Sequence, residues 1–249
     1  MLQNPRALSE IANSQQLREN PHNHLAISVI IPAYNEEKTI GAVVSETIST
    51  MDNLCVPYEI IVVNDGSLDK TGMVASAFKA TVISNDRNRG KGYSLRHALR
   101  VASGNIVVTM DSDGEHKASE IPGLIEPLYN GTDVVVGSRF LGQNAYVTSK
   151  LNQIGNWFFN FAIMSLTGRR VTDSQTGFRA IKKEVIDALN LESDGYEIET
   201  EITMKSFRSG FVLQEKPICI ERRKYGQSRI RLLKDGRRIM RTIIKASLA

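Results

Sequence analysis

Long apolar runs are missing from this 249-residue chain. No stretch approaches the ~18 or more apolar residues that carry a helix across a bilayer. The longest candidate, Trp157 to Leu166, is interrupted by Asn160. Cysteine is scarce: Cys55 and Cys219 are the only two, and they lack the spacing of a metal site. Two cysteines cannot staple a small secreted fold. In a reducing compartment a free cysteine usually behaves as a small buried hydrophobe, which is the expectation here. The first 26 residues have no apolar core of the kind a secretory signal needs. These features together lead us to expect an intracellular protein that is not integral to a membrane. Internal repeats and low-complexity tracts are also lacking. What is present is ordinary globular material, 41% hydrophobic and 23% charged. At ~100–200 residues per domain, the length suits one large domain or two small ones.

The formal charge of +4 is unevenly distributed. Residues 222–245 hold ten Lys or Arg against one acid, Asp235. Such a cluster implies an anionic partner: phosphate, nucleic acid or an acidic membrane surface. Residues 1–25 are polar and read as a poorly ordered extension.

From Ala26 the pattern becomes regular. Apolar strands are expected at Ile27 to Ile31, Glu59 to Val63, Thr81 to Ser84, Ile106 to Met110 and Val134 to Val136. Helical spacing covers Glu36 to Thr50, Asp69 to Phe78, Gly92 to Ala102 and Ala118 to Tyr129. Fully apolar strands alternating with amphipathic helices imply a doubly wound α/β fold, with a mostly parallel sheet covered on both faces. In such sheets ligands bind beyond the carboxyl ends of the strands. There the chain places Pro32-Ala33-Tyr34-Asn35-Glu36, Asn64-Asp65-Gly66-Ser67, Asn85 through Gly92, Asp111 through His116, and Gly137-Ser138-Arg139. All are polar, charged or glycine-rich, and all should converge on one edge.

Asp111, Asp113 and Glu115 alternate after a strand. If the chain stays extended, residues two apart point the same way, and three carboxylates together call for a cation. Oxygen donors suit Mg²⁺ or Mn²⁺. An acidic turn with a helix cap is the competing reading. The Asn88-Arg89-Gly90-Lys91-Gly92 turn opens a helix and could meet a phosphate, although it is neither a P-loop nor a complete dinucleotide fingerprint. Asp173 through Arg179 is dense in side-chain donors and acceptors and sits between two helical patterns. Glu197, Glu199 and Glu201 fall on a helical pattern and are read as a mostly solvated face. Ser149 to Leu166 reads either as a core helix or as a lipid-facing one. Ile230 to Lys245 sets Leu232, Leu233, Ile239, Met240, Ile243 and Ile244 on one side and basic residues largely on the other. That pattern suits a basic amphipathic helix in a membrane interface, or a docked helix with a solvated basic face.

These motifs, with Gln175-Thr176-Gly177-Phe178-Arg179 and Arg223-Lys224-Tyr225-Gly226-Gln227-Ser228-Arg229, resemble the family 2 glycosyltransferases of GT-A fold. Within them the chain is most similar to the dolichyl-phosphate mannose and glucose synthases. The resemblance runs from about Ile27 to Arg229. It implies a GT-A domain over residues 26–229, followed by the basic helix at 230–249. It implies that Pro32, Tyr34, Glu36, Val63 and Asp65 meet the base and ribose of a nucleotide diphosphate sugar, UDP- or GDP-linked. Asp111 and Asp113 would meet the metal and diphosphate, with Ser112 beside them, and Glu115 stands where the mannose synthases carry Gln. Arg139, Arg223 and Arg229 would hold donor and acceptor phosphates. The acceptor would be a dolichyl or polyprenyl phosphate, and the enzyme would be peripheral on the cytoplasmic face of a membrane, a placement compatible with a separate membrane-anchoring subunit. The catalytic set is then Asp113, Arg139 and Arg223, with Asp173 as a base if the acceptor were instead a sugar hydroxyl. A sugar nucleotidyltransferase remains a further alternative. No nucleic-acid partner is expected, because the basic segment carries no recognition motif.

Overall fold

In a computed structural model of the chain, residues 27–141, 150–226 and 231–248 are described. The expected extension at residues 1–25, the start of the helix expected from Ser149, and Arg229 lie outside these residues.

A seven-stranded sheet runs in the order β3-β2-β1-β4-β6-β5-β7. Its strands are β1 (Ile27–Ala33), β2 (Tyr58–Asn64), β3 (Thr81–Ser84), β4 (Ile106–Thr109), β5 (Val134–Ser138), β6 (Arg179–Lys182) and β7 (Leu213–Pro217). All neighbours pair in parallel except at β6, which runs antiparallel to both β4 and β5. The mostly parallel doubly wound sheet read from the sequence is therefore what the chain forms. The helices are α1 (Ile40–Leu54), α2 (Thr71–Ala75), α3 (Lys91–Leu99), α4 (Ile121–Ile125), α5 (Lys150–Thr167), α6 (Lys183–Leu189), α7 (Ile198–Arg208) and α8 (Leu232–Leu248).

The strands are apolar on both faces because both faces are covered. In β1, Ile27, Val29, Ile31 and Ala33 pack on one side with Val43, Val44 and Met51 of α1. Ile30 points to the other side, with Leu95 and Ala98 of α3 and Ile198 and Ile202 of α7. Residues two apart share a face, so one strand feeds two cores. A third, smaller cluster joins Ile163 of α5, Met204 and Phe207 of α7, and Ile239, Ile243 and Ala246 of α8.

Several expectations need correction. The single helix read from Ala118 to Tyr129 is three short pieces: 3₁₀ turns at Ala118–Glu120 and Glu126–Asn130 flank α4. Pro122 and Pro127 lack the N–H that a continuous helix would use. Cys55 and Cys219 are both exposed rather than buried. Cys55 closes α1 in a left-handed conformation with φ 54°, its N–H turned back to Asp52, which leaves the side chain at a surface turn. The C-terminal helix is rotated from the face assigned by sequence. Ile239 and Ile243 pack inward, while Leu233 and Ile244 face outward with Arg237, Arg241 and Lys245.

The acids of α7 are not solvated. Glu197, Glu199 and Glu201 are all buried. Glu201 accepts the N–H groups of Glu192 at 3.0 Å and Ser193 at 2.8 Å and pairs with Lys205 at 2.6 Å. Burial alone would raise its carboxyl, but the Lys205 and amide hydrogen bonds outweigh that and hold it below the ordinary range. Its contribution to stability is thus present above the ordinary glutamate pKa and is lost as pH falls through the lowered folded value. Glu201→Gln is expected to cost about 1–3 kcal/mol, because one carboxylate anchors three donors. Thermal melting at neutral pH, with a smaller difference from the parent chain in acid, checks this.

Candidate active site at the carboxyl edge of the sheet

The ends of β1 and β2 are tied together before anything is bound. Asp65 N–H donates to Ala33 O at 2.8 Å, and Asn35 N–H donates to Ser67 Oγ at 3.0 Å. Glu36 N–H donates to Thr71 Oγ1 at 2.7 Å. Pro32 and Val63 are register partners, which puts the expected nucleotide residues Pro32, Tyr34, Glu36, Val63 and Asp65 along two adjacent strand ends. Asp65 is buried, and its carboxylate accepts Arg89 N–H and Gly90 N–H, each at 2.9 Å, and Asn85 Nδ2 at 2.7 Å. It shapes the Asn85–Gly92 loop. Gly66 is needed at this point: its φ is +67°, and a Cβ there would lie 2.3 Å from the Arg87 carbonyl carbon.

That loop delivers Lys91, part of the turn that the sequence offered to a phosphate, to two carboxylates instead. The Lys91 ammonium ion pairs with Asp111 and, at 2.8 Å, with Glu199 of α7. Burial by itself would lower its pKa, but the two carboxylates more than reverse this and raise it. Asp111 is held well below the usual carboxylate range against the opposing effect of burial, foremost by Lys91. His116 is buried and stacks on Phe178 at 4.9 Å between ring centroids. Its Nδ1 accepts Asp111 N–H at 3.1 Å, which fixes the turn. Burial, foremost, pushes its pKa down, so the ring is held as a neutral acceptor.

The chain does not stay extended after β4. It turns at Gly114, φ 77°. Asp111 therefore goes to Lys91, whereas Asp113 and Glu115 face Arg223. Arg223 Nη2 donates to Asp113, and its Nε lies 3.3 Å from Glu115 Oε1 at ion-pair distance without hydrogen-bond geometry. Among the described residues no three His, Cys, Asp or Glu side chains close on one point as a finished metal cage. The turn thus keeps the three carboxylates off one extended face, contrary to the expectation from the sequence. Their donor chemistry still fits a hard divalent ion. Glu115 is raised by burial and then by the nearby charges of Asp113 and Asp111, with Arg223 opposing, as crowded carboxylates short of a cation would be. Ser112 is buried between the two aspartates in sequence.

Arg139, beyond β5, closes the other side. Its backbone N–H, Nε and Nη2 donate to Asp173 at 3.1, 2.7 and 2.8 Å, and Asp173 is fully buried. Burial would lower the Arg139 pKa, but Asp173, then Asp111 and Glu115, raise it. The influence of Asp111 and Glu115 places this guanidinium beside the acidic turn, and Glu115 is also one of the carboxylates that Arg223 meets. The acidic and guanidinium groups thus share one neighbourhood, although Arg223 lies 110 residues from Asp113 in the chain. Arg229 falls outside the described residues.

Two residues that carry no such role in the sequence reading hold this arrangement. Glu215 of β7 accepts Thr172 N–H at 2.8 Å, Thr172 Oγ1 at 2.8 Å and Asp173 N–H at 3.0 Å. Arg179, expected only as the end of a polar loop, is buried and donates to Ser174 O at 2.7 Å, Thr176 O at 2.9 Å and Thr203 Oγ1 at 2.9 Å. Burial draws its pKa down to about 10. The glycine-rich turn was a visible signal for Lys91. Glu215, in a short edge strand of mixed polarity, offered none.

Residues 28–189 match the model of Glycosyl transferase family 2. An uncharacterized protein of Methanocaldococcus jannaschii is 34% identical over 229 residues, covering 88% of this chain and 91% of that one. A dolichol-phosphate mannosyltransferase of Pyrococcus furiosus is 32% identical over 224 residues, covering 83% of this chain and 60% of its own length. A UDP-N-acetylglucosamine–dolichyl-phosphate N-acetylglucosaminyltransferase of Methanococcus voltae is 31% identical over 228 residues, covering 82% and 88%. Among solved structures, glucosyl-3-phosphoglycerate synthase from Mycobacterium tuberculosis with Mg²⁺ and UDP superposes with a TM-score of 0.76 at 22% identity, over 99% of this chain and 84% of that one. That likeness concerns the fold.

Proposed function

The chain belongs to glycosyl transferase family 2, and from that premise we propose that it moves one sugar from a nucleotide diphosphate sugar to the phosphate of a dolichyl or polyprenyl lipid, with inversion at the anomeric carbon. The observation that carries this reading is the gathering of two guanidinium groups near the carboxylates beyond β4: Arg223 pairs with Asp113 and lies 3.3 Å from Glu115, and Arg139 is held on Asp173 beside the same turn. Two negatively charged reactants can approach one another only where cations offset their repulsion. Arg forks suit phosphate oxygens.

An acceptor phosphate oxygen forms the new bond to the anomeric carbon. The bond to the diphosphate oxygen breaks, and the nucleoside diphosphate leaves with the electron pair. A phosphate monoester has its second pKa near ~6, so at neutral pH it attacks without surrendering a proton. Asp173 suits this better than a base mechanism does, because both its oxygens are held by Arg139 and it is sealed from solvent. In this reading it orients Arg139. Arg223 screens Asp113 and Glu115 and meets phosphate, a role Arg229 is proposed to share. Pro32, Tyr34, Glu36, Val63 and Asp65 frame the base and ribose. Asp111 and Asp113, with Glu115, would hold Mg²⁺ or Mn²⁺, which when bound neutralises charge growing on the leaving diphosphate.

The lipid tail needs an apolar landing surface. No helix among the described residues is long and apolar enough to cross a membrane. Helix α5 instead turns Ile154, Trp157, Phe158, Phe161, Met164 and Leu166 outward. Of its side chains among the described residues, Ile163 is the one buried hydrophobe, so the core-helix reading gives way to a surface one. α8, packed against α5, exposes Leu233, Ile244 and Leu248 beside Arg237, Arg241 and Lys245. Each basic residue near an anionic leaflet adds about 1 kcal/mol. These two faces support peripheral attachment to a membrane, at its cytoplasmic side.

Incubation with a nucleotide sugar, Mg²⁺ and either polyprenyl phosphate or the free polyprenol tests this. Nucleoside diphosphate should be released only with the phosphate acceptor. Pyrophosphate release, or equal turnover with the alcohol, would contradict the proposal.

A further inference from the structure

Asn160 sits within the aromatic-rich helix α5, where an amide is costly unless it is paired. It faces inward and is buried, as is Asn156 one turn earlier. Asn160 Nδ2 donates to Thr172 O at 2.6 Å, and its Oδ1 accepts Ser174 N–H at 3.2 Å. Asn156 Nδ2 donates to the same Thr172 O at 2.9 Å. The residue between Thr172 and Ser174 is Asp173, whose carboxylate takes the Arg139 fork. The backbone that fixes Arg139 is therefore gripped from two sides: by Glu215 of β7, and by two asparagines of α5.

The two grips differ in kind. β7 is part of the sheet. The half of α5 that carries Asn156 and Asn160 exposes Trp157, Phe158 and Phe161 on its other side. That segment is held within by these amide contacts and by Phe159, which packs against the cluster of α7 and α8, and is open to apolar contact without. Asn156 Oδ1 is buried with no partner, so the inner contact has hydrogen-bonding capacity left over. A shift of α5 on its outer face moves Asn160, and with it the Thr172–Ser174 backbone.

We infer that Asn160, assisted by Asn156, is a positioning residue that couples apolar contact on the outer face of α5 to the placement of Arg139. The inference rests on the lipid-phosphate reading for the identity of what touches that face. Coupling between two sites is reciprocal. If lipid on α5 improves the site for nucleotide, nucleotide at the site must improve binding of lipid to α5 by the same factor.

Trp157 is the single tryptophan of the chain and lies on that outer face, 66% exposed. Its fluorescence reports lipid contact directly. The full chain is titrated with phosphatidylcholine vesicles containing undecaprenyl phosphate, with and without UDP or GDP plus Mg²⁺. The parent chain should bind vesicles at least about 5-fold more tightly with one nucleotide present. Asn160→Ala should keep its melting temperature within a few degrees and its vesicle affinity without nucleotide, yet lose the tightening. Asn156→Ala should lose part of it, and is decisive alone if Asn160→Ala does not fold. No tightening in the parent chain, or full tightening in a folded variant, overturns the inference. Sugar transfer is scored separately. A chain that shows Asn160-dependent tightening but makes no glycosylated lipid phosphate keeps this inference and loses the acceptor reading. A chain that makes the product without tightening loses this inference alone.

Discussion

Arg223→Ala is expected to lower kcat/KM for sugar transfer by about 10²–10³-fold, or about 3–4 kcal/mol of transition-state stabilisation. Arg223 touches Asp113 and lies 3.3 Å from Glu115. Its pKa is raised: burial opposes the charge, but Asp113, Glu115 and Glu36 more than compensate. Removing it takes a cation from beside three acids just where phosphates must come together. The loss should appear in kcat, because the guanidinium matters most as charge builds on the leaving diphosphate. Arg223→Lys should recover part of the rate, since charge survives while the fork does not. The side chain is partly buried at the surface and belongs to no core cluster, so the fold should tolerate both changes, and a melting curve close to that of the parent chain makes the kinetic loss interpretable. Full activity in Arg223→Ala would remove the charge-screening mechanism.

The second large effect concerns Arg139 and distinguishes the two acceptor chemistries. Arg139→Ala is a poor probe, because it leaves Asp173 buried and unpaired, a defect worth about 3–5 kcal/mol of stability. Arg139→Lys keeps the ion pair and loses the fork. We expect a drop of about 10²-fold in transfer, the scale of a catalytic group displaced by an ångström. Asp173→Asn should then cost about tenfold, through looser placement of Arg139, with no change in the shape of the pH–rate profile above neutrality. The two changes should be less than additive when combined, because they act on one contact. If Asp173 were a general base for a hydroxyl acceptor, Asp173→Asn alone should cost about 10²–10⁴-fold and abolish the acidic limb of the profile. Both oxygens of Asp173 already accept hydrogen bonds from Arg139, which is why we expect the smaller loss.

The sheet could be read from the sequence where burial on both faces forces continuous apolar runs, as in β1, β2, β4 and β5. β6 and β7 could not. Arg179-Ala180-Ile181-Lys182 is four residues long and begins with a buried arginine, and Leu213-Gln214-Glu215-Lys216-Pro217 is an edge strand of mixed polarity. Neither produces an apolar run, and β6 enters the sheet only because β4 and β5 leave a place between them. At the site, strand-end position identified Asp65, Asp111, Asp113 and Arg139 without knowledge of any contact. It could not identify Glu199, because charge at helical spacing reads as a solvated face until Lys91 is known to lie opposite, 108 residues earlier. Nor could it show that Asp111 and Asp113 diverge. That depends on the turn that begins at Ser112 and runs through Gly114, which breaks the strand geometry between the two aspartates. The aromatic helix was open to two readings for a similar reason. Only its inward asparagines, paired to the Asp173 loop, decide which side faces out.

The most direct test of the central claim is mass spectrometry of the lipid after incubation of the full chain with a panel of UDP- and GDP-sugars, Mg²⁺ or Mn²⁺, and a short polyprenyl phosphate. A single hexose or N-acetylhexosamine joined through the phosphate is expected, formed in step with one nucleoside diphosphate and absent in Arg223→Ala. A product carrying sugar anywhere other than on the phosphate, or a phosphate-linked product made equally well by Arg223→Ala, would contradict it.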